Sequence, residues 1–127
     1  MMPLKVVLLG GTGFVGRALA DRLRADGHAV LVPSRNLARH RDRRLAPGVE
    51  LRQGNVHDPA VLRACFAGAD AVVNLVGILN ERGDDGRGFR RAHVELTRSV
   101  IAACEQAGVP RLLQMSALNA GRGDSHY

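Results

Sequence analysis

Apolar residues along the chain follow two spacings, and the switch from one to the other recurs. Runs rich in aliphatic and β-branched residues, LKVVLLG (4–10), AVLVP (29–33), VELRQ (49–53), DAVVNLV (70–76) and RLLQMS (111–116), read as five strands. The first and fourth are nearly continuous apolar runs, the pattern of parallel strands covered on both faces. Between the strands, apolar residues recur every three or four positions. Three such helical stretches end in Gly just ahead of the next strand: Leu19 to Asp26 before Gly27, Ala60 to Ala67 before Gly68, and Leu96 to Ala107 before Gly108. A glycine just past a helix supplies the left-handed conformation that closes the last turn. Asp58-Pro59 marks the opposite end, an N-cap carboxylate with Pro at the first helical position. The longest helix is expected from about Phe89 to Ala107, with Phe89, His93, Leu96, Val100, Cys104 and Ala107 on one buried stripe. Two segments interrupt the pattern. SRNLARHRDRRLAPG holds five Arg and one His with at most a short helix, and NERGDDGRG reads as a loop.

Regular alternation of strand and helix predicts an α/β fold: a doubly wound parallel sheet of Rossmann type, about five strands in the order 3-2-1-4-5. The chain has 127 residues, 46% hydrophobic and 24% charged, which suits one globular domain over residues 1–127. Such a chain buries roughly 67% of its unfolded surface, enough for one real core. Aliphatic residues are too plentiful for a disordered chain. No run reaches about 18 apolar residues, so no transmembrane segment is expected. The first twenty residues mimic a secretory leader, with Lys5 ahead of an apolar run. That run covers only Val6 to Gly10 before glycines and Arg17, and no small-residue cleavage site follows. It reads as a strand entering a loop, so the expected location is cytoplasmic, or the matrix side of a mitochondrion if the source is eukaryotic.

Formal charge is +6, and 17 of the 18 basic residues are Arg, Lys5 being the exception. An excess of positive charge favours anionic partners, although an Arg bias reflects coding preference as readily as function. Nucleic acid is not the expected partner, because three Phe, one Tyr and no Trp leave few rings for base stacking. Cys65 and Cys104 fall in helical segments with no CxxC or His/Cys cluster beside them, so they read as buried thiols. No metal-ligand spacing stands out.

The chemistry concentrates in Gly10-Gly11-Thr12-Gly13-Phe14-Val15-Gly16, directly after strand one and at the opening of the first helix. Gly10 lets the chain turn sharply, Gly13 lets a pyrophosphate approach the backbone, and Gly16 lets the helix pack close to the sheet. Free N–H groups and the helix dipole then face the anion. The context is the one this spacing needs: an apolar strand before, and an amphipathic helix after, with Val15, Ala18, Leu19 and Leu23 on its apolar side. A dinucleotide is therefore the expected cofactor. Domains of this architecture usually place an Asp or Glu at the end of strand two, on the adenosine ribose hydroxyls. Pro33-Ser34-Arg35 stands there instead, with no carboxylate before Asp42. Arg35 suits a 2′-phosphate, with Ser34 as a short donor and Arg39 as a second cation, which favours NADP(H) over NAD(H). The plainer alternative is that Arg35 to Arg44 is a solvated loop face.

With GGTGFVGR at this turn the chain resembles the extended and atypical short-chain dehydrogenase/reductase superfamily, of the NAD-dependent epimerase/dehydratase type. VVNLVGILNE and HVELTRSVIAACEQAGVPRLLQMSALNA further resemble the branch of the NAD(P)H-binding accessory subunit of respiratory complex I. The resemblance spans essentially the whole chain. It implies that Asn55-Val56 lies against the adenine, where relatives commonly carry Asp-Val. It also implies that Asn74, Val76 and Gly77 lie beneath the dinucleotide, the alternative being a strand end with a tight turn. Hydride-transfer members use a Tyr as acid/base, a Lys four residues later, and a Ser or Thr that polarises the substrate oxygen. Ser116 and Tyr127 match the Ser and Tyr roles, but the Lys would fall beyond the chain. A phenol with its ordinary pKa near 10 is a poor base at neutral pH, so the chain as written is expected to be inactive. Two readings compete: an N-terminal part of a longer protein, stopping before the last strand and substrate region, or a natural short nucleotide-binding protein. The first is favoured, because strand five would otherwise be an unpaired apolar edge. His93 stands where extended members often carry an Asn that supports the lysine through water, and a satisfied core histidine is the plainer reading.

The resemblance implies one of two functions. The chain is the cofactor domain of an oxidoreductase or nucleotide-sugar epimerase/dehydratase, or a non-catalytic structural or redox-sensing subunit like the complex I accessory subunit. The implied partners beyond the dinucleotide are a second copy of the chain or a respiratory complex.

Overall fold

The computed structural model describes residues 2–35, 47–76 and 94–115. Strands β1 (Lys5–Leu9), β2 (Ala29–Ser34), β3 (Val49–Gln53), β4 (Ala71–Asn74) and β5 (Arg111–Gln114) form one sheet in the order β3-β2-β1-β4-β5. Every neighbouring pair is parallel. Helices α1 (Phe14–Ala25), α2 (Pro59–Phe66) and α3 (Leu96–Ala107) connect them. This is the doubly wound sheet and strand order the apolar pattern predicts. Regular strand geometry stops a residue or two short of the longer apolar runs. Pairing nevertheless continues one step further, with Leu75 N donating to Leu9 O at 2.8 Å and Met115 N to Asn74 O at 3.0 Å.

Because side chains alternate across a strand, β1 feeds two cores at once. Val7 and Leu9 join Leu31 and Val72 on the face covered by α2 and α3, through Leu62, Cys65, Phe66, Leu96, Val100, Ala103 and Cys104. Val6 and Leu8 join Val30, Val32, Ala71 and Val73 on the face covered by α1, through Ala20 with Leu19 and Leu23 beside it. The register keeps each layer in step: Val7 lies opposite Leu31 on one side and Val72 on the other. The chain steps from β1 outward to β3, then returns across β1 to β4 and β5. Among the described helices, α1 before that reversal and α2 and α3 after it cover opposite faces, the arrangement that right-handed crossovers require.

Local signals set where the helices start and stop. The Asp58 carboxylate accepts from Ala60 N at 2.9 Å and Pro59 occupies the first turn, so α2 begins where its cap predicts. Gly27, Gly68 and Gly108 follow the three helices with φ of 87°, 73° and 71°, the left-handed closure expected of them. On α3 the predicted stripe holds at Leu96, Val100 and Cys104, with Ala103 buried beside it. Phe89 and His93 lie outside the described residues. The first helix differs from its predicted face. Gly16 and Ala20 are buried and Leu19 and Leu23 half-buried, whereas Val15 and Ala18 are exposed. Close contact of Gly16 with the preceding turn rotates the smallest side chains toward the sheet.

Polar contacts tie down the end of the sheet away from the glycine turn. His28, although isolated in sequence, is buried, and its Nδ1 accepts from Leu4 N at 2.9 Å. Arg24 donates to His28 O at 2.8 Å and to Pro47 O at 3.1 Å, joining α1 to the entries of β2 and β3. Lys5 donates through its backbone N to Asp70 and through Nζ to Ala67 O, joining β1 to the end of α2. At the β5 edge, Leu113 is 62% exposed, because α1 lies over β1 and β2 and does not reach that far.

Cys65 and Cys104 are free and buried on the same face of the sheet, and burial pushes both thiols up from their ordinary pKa. Native protein should therefore react with iodoacetamide at pH 8 roughly 100-fold more slowly than urea-unfolded protein. Equal labelling rates would contradict this packing of α2 and α3. The unfolded chain releases these protons at lower pH than the folded one does. Stability should accordingly fall as pH rises through the ordinary thiol range near 8.5, and a Cys65→Ala/Cys104→Ala variant should flatten that slope.

Candidate functional site

In a doubly wound sheet the crevice opens at the carboxyl ends of the strands, where the chain reverses direction between β1 and its neighbour β4. The loop from β1 into α1 occupies that point. Gly10 turns the chain with φ of 81°, and a Cβ on it would lie 3.0 Å from Leu75 C and 3.1 Å from Val76 N. The turn is thus pressed against the end of β4. Gly13 N donates back to Gly10 O at 3.2 Å, and Gly13 O accepts from Arg17 N at 2.9 Å, so the loop enters the helix within three residues.

The glycines of this turn differ in what they must avoid. A Cβ on Gly16 would lie inside contact distance of Gly10 O, 2.5 Å from Gly11 Cα and 2.7 Å from Gly11 C. A Cβ on Gly11 would meet the Val32 side chain at 2.8 Å. These two are demanded by packing. Gly13 has an ordinary extended conformation (φ −79°, ψ −177°), and its Cβ would meet Gly10 O at 3.5 Å, a normal contact. The chain itself does not require glycine there. Gly13 is exposed and forms the N-cap of α1, with no side chain of its own to cap the helix. Helix starts leave their first N–H groups without intrahelical acceptors, and those groups carry the positive end of the dipole. Bare backbone at a helix N-terminus fits a pyrophosphate.

Beneath the turn, Asn74 is fully buried at the end of β4. Its Oδ1 accepts from Val76 N at 3.1 Å, fixing the bend that receives Gly10. That contact leaves its Nδ2 to face β5, where it donates to Gln114 Oε1 at 3.0 Å. Gln114 was not among the residues singled out from sequence. The available signal was register: Asn74 and Gln114 are directly paired polar positions at the ends of two apolar strands.

The second half of the crevice lies beyond β2 and β3. Ser34 is buried and its backbone O accepts from Gly54 N at 2.9 Å, which holds the two loops side by side. Arg35 is exposed, and its Nη2 donates to Asn55 Oδ1 at 3.2 Å. The same Oδ1 accepts from His57 N at 3.0 Å. Val56 packs half-buried against the α2–α3 core, and so does Val76. The structure therefore sets Gly10 against Leu75 and Val76, with Gly11 to Gly16 leading from it into α1, and Ser34, Arg35, Asn55 and Val56 at the ends of β2 and β3. Phe14 is 92% exposed, so the helix opens onto solvent at this edge. Gly77, Ser116 and Tyr127 lie outside the described residues, as do Arg39 and Asp42. Among the described residues, no three His, Cys, Asp or Glu side chains are placed to hold a metal ion. Among the same residues, no helix is long and apolar enough to cross a membrane.

The different demands at Gly13 and Gly16 make a direct test. Gly16→Ala should lower stability by about 1–3 kcal/mol, because backbone must move to admit the methyl group. Gly13→Ala should leave the melting temperature within a few degrees of the parent. Similar losses from both substitutions would show that this turn is not packed as described.

Known proteins agree with this geometry. The sequence profile of the NAD(P)H-binding family matches residues 10–126. The chain is 32% identical over 123 residues to a 2-alkyl-3-oxoalkanoate reductase of Stenotrophomonas maltophilia, covering 97% of this chain and 36% of that protein. It is 36% identical over 124 residues to a dTDP-6-deoxy-L-talose 4-dehydrogenase (NAD(P)(+)) of Kitasatospora kifunensis, covering 92% of this chain and 36% of that one. The chain thus spans about a third of the length of these relatives. Among solved structures, the Bordetella bronchiseptica enzyme WbmG in complex with NAD superposes with a TM-score of 0.75 at 24% identity, over 89% of this chain and 37% of that one. Pen from Bacillus thuringiensis gives 0.82 at 18% identity, over 100% of this chain and 42% of that one. At such identities the structural likeness speaks for the fold, while the sequence profile and its glycine turn speak for the ligand. The chain belongs to the NAD(P)H-binding family and is a Rossmann domain of the extended short-chain dehydrogenase/reductase, or NAD-dependent epimerase/dehydratase, type.

Proposed function

We propose that this chain binds NADP(H) in preference to NAD(H) and serves as the cofactor domain of a reductase, dehydrogenase or nucleotide-sugar epimerase/dehydratase. The observation that carries the cofactor reading is Gly13: a glycine that packing does not require, exposed at the N-cap of α1 in the crevice between β1 and β4. A pyrophosphate seated there would accept from the first N–H groups of α1. The adenosine end would extend over Gly10 toward Arg35 and Asn55.

The 2′-phosphate preference rests on Arg35. Its exposed guanidinium stands at the end of β2, and among the described residues it forms no ion pair. A carboxylate at this strand end would accept from the ribose hydroxyls and repel a 2′-phosphate, whereas a guanidinium reverses both preferences. When bound, the dinucleotide would supply the hydride chemistry. This chain's own residues bind and orient it, and Asn74 with Gln114 keeps the β4 end in the shape that the turn packs against.

In the catalytic reading, Ser116 polarises the substrate oxygen and Tyr127 moves the proton. Substrate and partner subunits belong to the whole protein. The alternative, a structural or redox-sensing subunit similar to the complex I accessory subunit, uses the same cradle without turnover. It is supported by the runs VVNLVGILNE and HVELTRSVIAACEQAGVPRLLQMSALNA. Hydride transfer to or from a carbonyl or sugar substrate would decide for the enzyme.

Titration of the purified chain with NADPH and NADH tests the cofactor reading. NADPH should bind roughly 10- to 150-fold more tightly, as one charge-assisted hydrogen bond allows, and Arg35→Ala should remove most of that difference. Equal affinities, or a preference untouched by Arg35→Ala, would end the NADP(H) reading. Failure of a folded chain to bind either cofactor would reduce the glycine turn to a structural device.

A further inference from the structure

Asn55 and Arg35 sit on adjoining loops. Gly54 N donates to Ser34 O across them, so the two side chains meet wherever the dinucleotide lies. The orientation of the Asn55 amide is set by backbone: its Oδ1 accepts from His57 N at 3.0 Å, and its backbone O accepts from Asp58 N at 2.9 Å. The oxygen rather than the NH2 group must therefore face this side. It is this oxygen that takes Arg35 Nη2 at 3.2 Å. Arg35 is held by a neutral acceptor. Its position is fixed at one nitrogen, and its charge is not cancelled.

We infer that Asn55 is a specificity-determining residue, whose neutral carbonyl aims Arg35 while leaving its charge to a 2′-phosphate. The inference rests on the proposed NADP(H) preference and extends it to a second residue. A carboxylate at position 55 has the same shape and would accept from the same His57 N–H. It would, however, pair with the guanidinium and place a like charge beside an incoming phosphate. On this account Asn55 and the Arg at the end of β2 form one device. Cations that bind phosphate are most effective when no nearby anion shares them.

The test is the ratio of NADPH to NADH affinity for the full 127-residue chain, compared with Asn55→Asp and Arg35→Ala. Both cofactors present the same adenine, so any contact of residue 55 with the base cancels in the ratio. Asn55→Asp should lower the ratio about tenfold at low salt, and less in 0.5 M salt, where exposed charges are screened. Its melting temperature should stay near that of the parent, since the acceptor for His57 N is retained. If Arg35→Ala lowers the ratio and Asn55→Asp does not, Asn55 plays no part in selecting the phosphate, although Arg35 does. If Arg35→Ala leaves the ratio unchanged, the 2′-phosphate reading fails and takes this inference with it. A tenfold loss that persists unchanged in high salt would also overturn it, because the proposed cause is a charge.

Discussion

Backbone passes backbone at the first turn with no room for a side chain. Gly16, one helical turn into α1, lies against Gly10 and Gly11, and Gly11 in turn is pressed against the Val32 side chain of β2. Two consequences follow from this single approach. Helix α1 is drawn onto the sheet through Gly16 and Ala20, and Leu19 and Leu23 complete its seal over Val6, Leu8, Val30 and Val32. The same approach aims the N-terminus of α1 along the carboxyl edge of the sheet, into the gap between β1 and β4. A bulkier turn would lift the helix away from its core and turn its dipole away from the ligand together.

The crevice is built by neighbours in space that are distant in sequence. β1 contributes the turn, β4 the buried Asn74, β5 the Gln114 that orients it, and β2 and β3 the Arg35–Asn55 pair. Parallel pairing makes this assembly reproducible, because the registers align all five carboxyl ends within a residue or two. Buried amides are costly unless satisfied, and Asn74 is satisfied on both sides, by Val76 N and by Gln114. It therefore fixes one shape for the strand end that Gly10 packs against. Two contacts remove the freedom that would otherwise blur the candidate site.

Much of this was legible before any coordinates. The period of two or of continuous apolar runs, the period of three to four between them, and the glycines after each helix sufficed for the strand order and the layers. The capping pair Asp58-Pro59 located the start of α2. The glycine spacing pointed to the candidate site, because it followed an apolar strand and opened a helix. Sequence periodicity misjudged the face of α1, taking Val15 and Ala18 as inward. Hydrophobicity ranks them above Gly16, but a closest approach selects the smallest residue, and that preference is invisible to a hydrophobic pattern. The Asn74–Gln114 and Arg35–Asn55 contacts were hidden for another reason. Each joins residues 40 or 20 positions apart, and only register brings them together. His28 carries no motif signal in the sequence, yet it is buried and accepts from Leu4 N, 24 positions away.

The glycines of the turn separate two kinds of constraint that sequence motifs merge. Gly10 and Gly16 are explained by this chain alone: a positive φ against the end of β4 in one case, a backbone contact in the other. A Rossmann domain that had lost its ligand would still need both. Gly13 has an ordinary conformation and space for a methyl group, so neither packing nor backbone strain accounts for it. What a Cβ at Gly13 would occupy is the approach to the N–H groups of α1, and that space matters only if something negatively charged comes to fill it. A glycine that the fold does not need is thus stronger evidence for a bound phosphate than the two that it does, even though all three belong to the same motif.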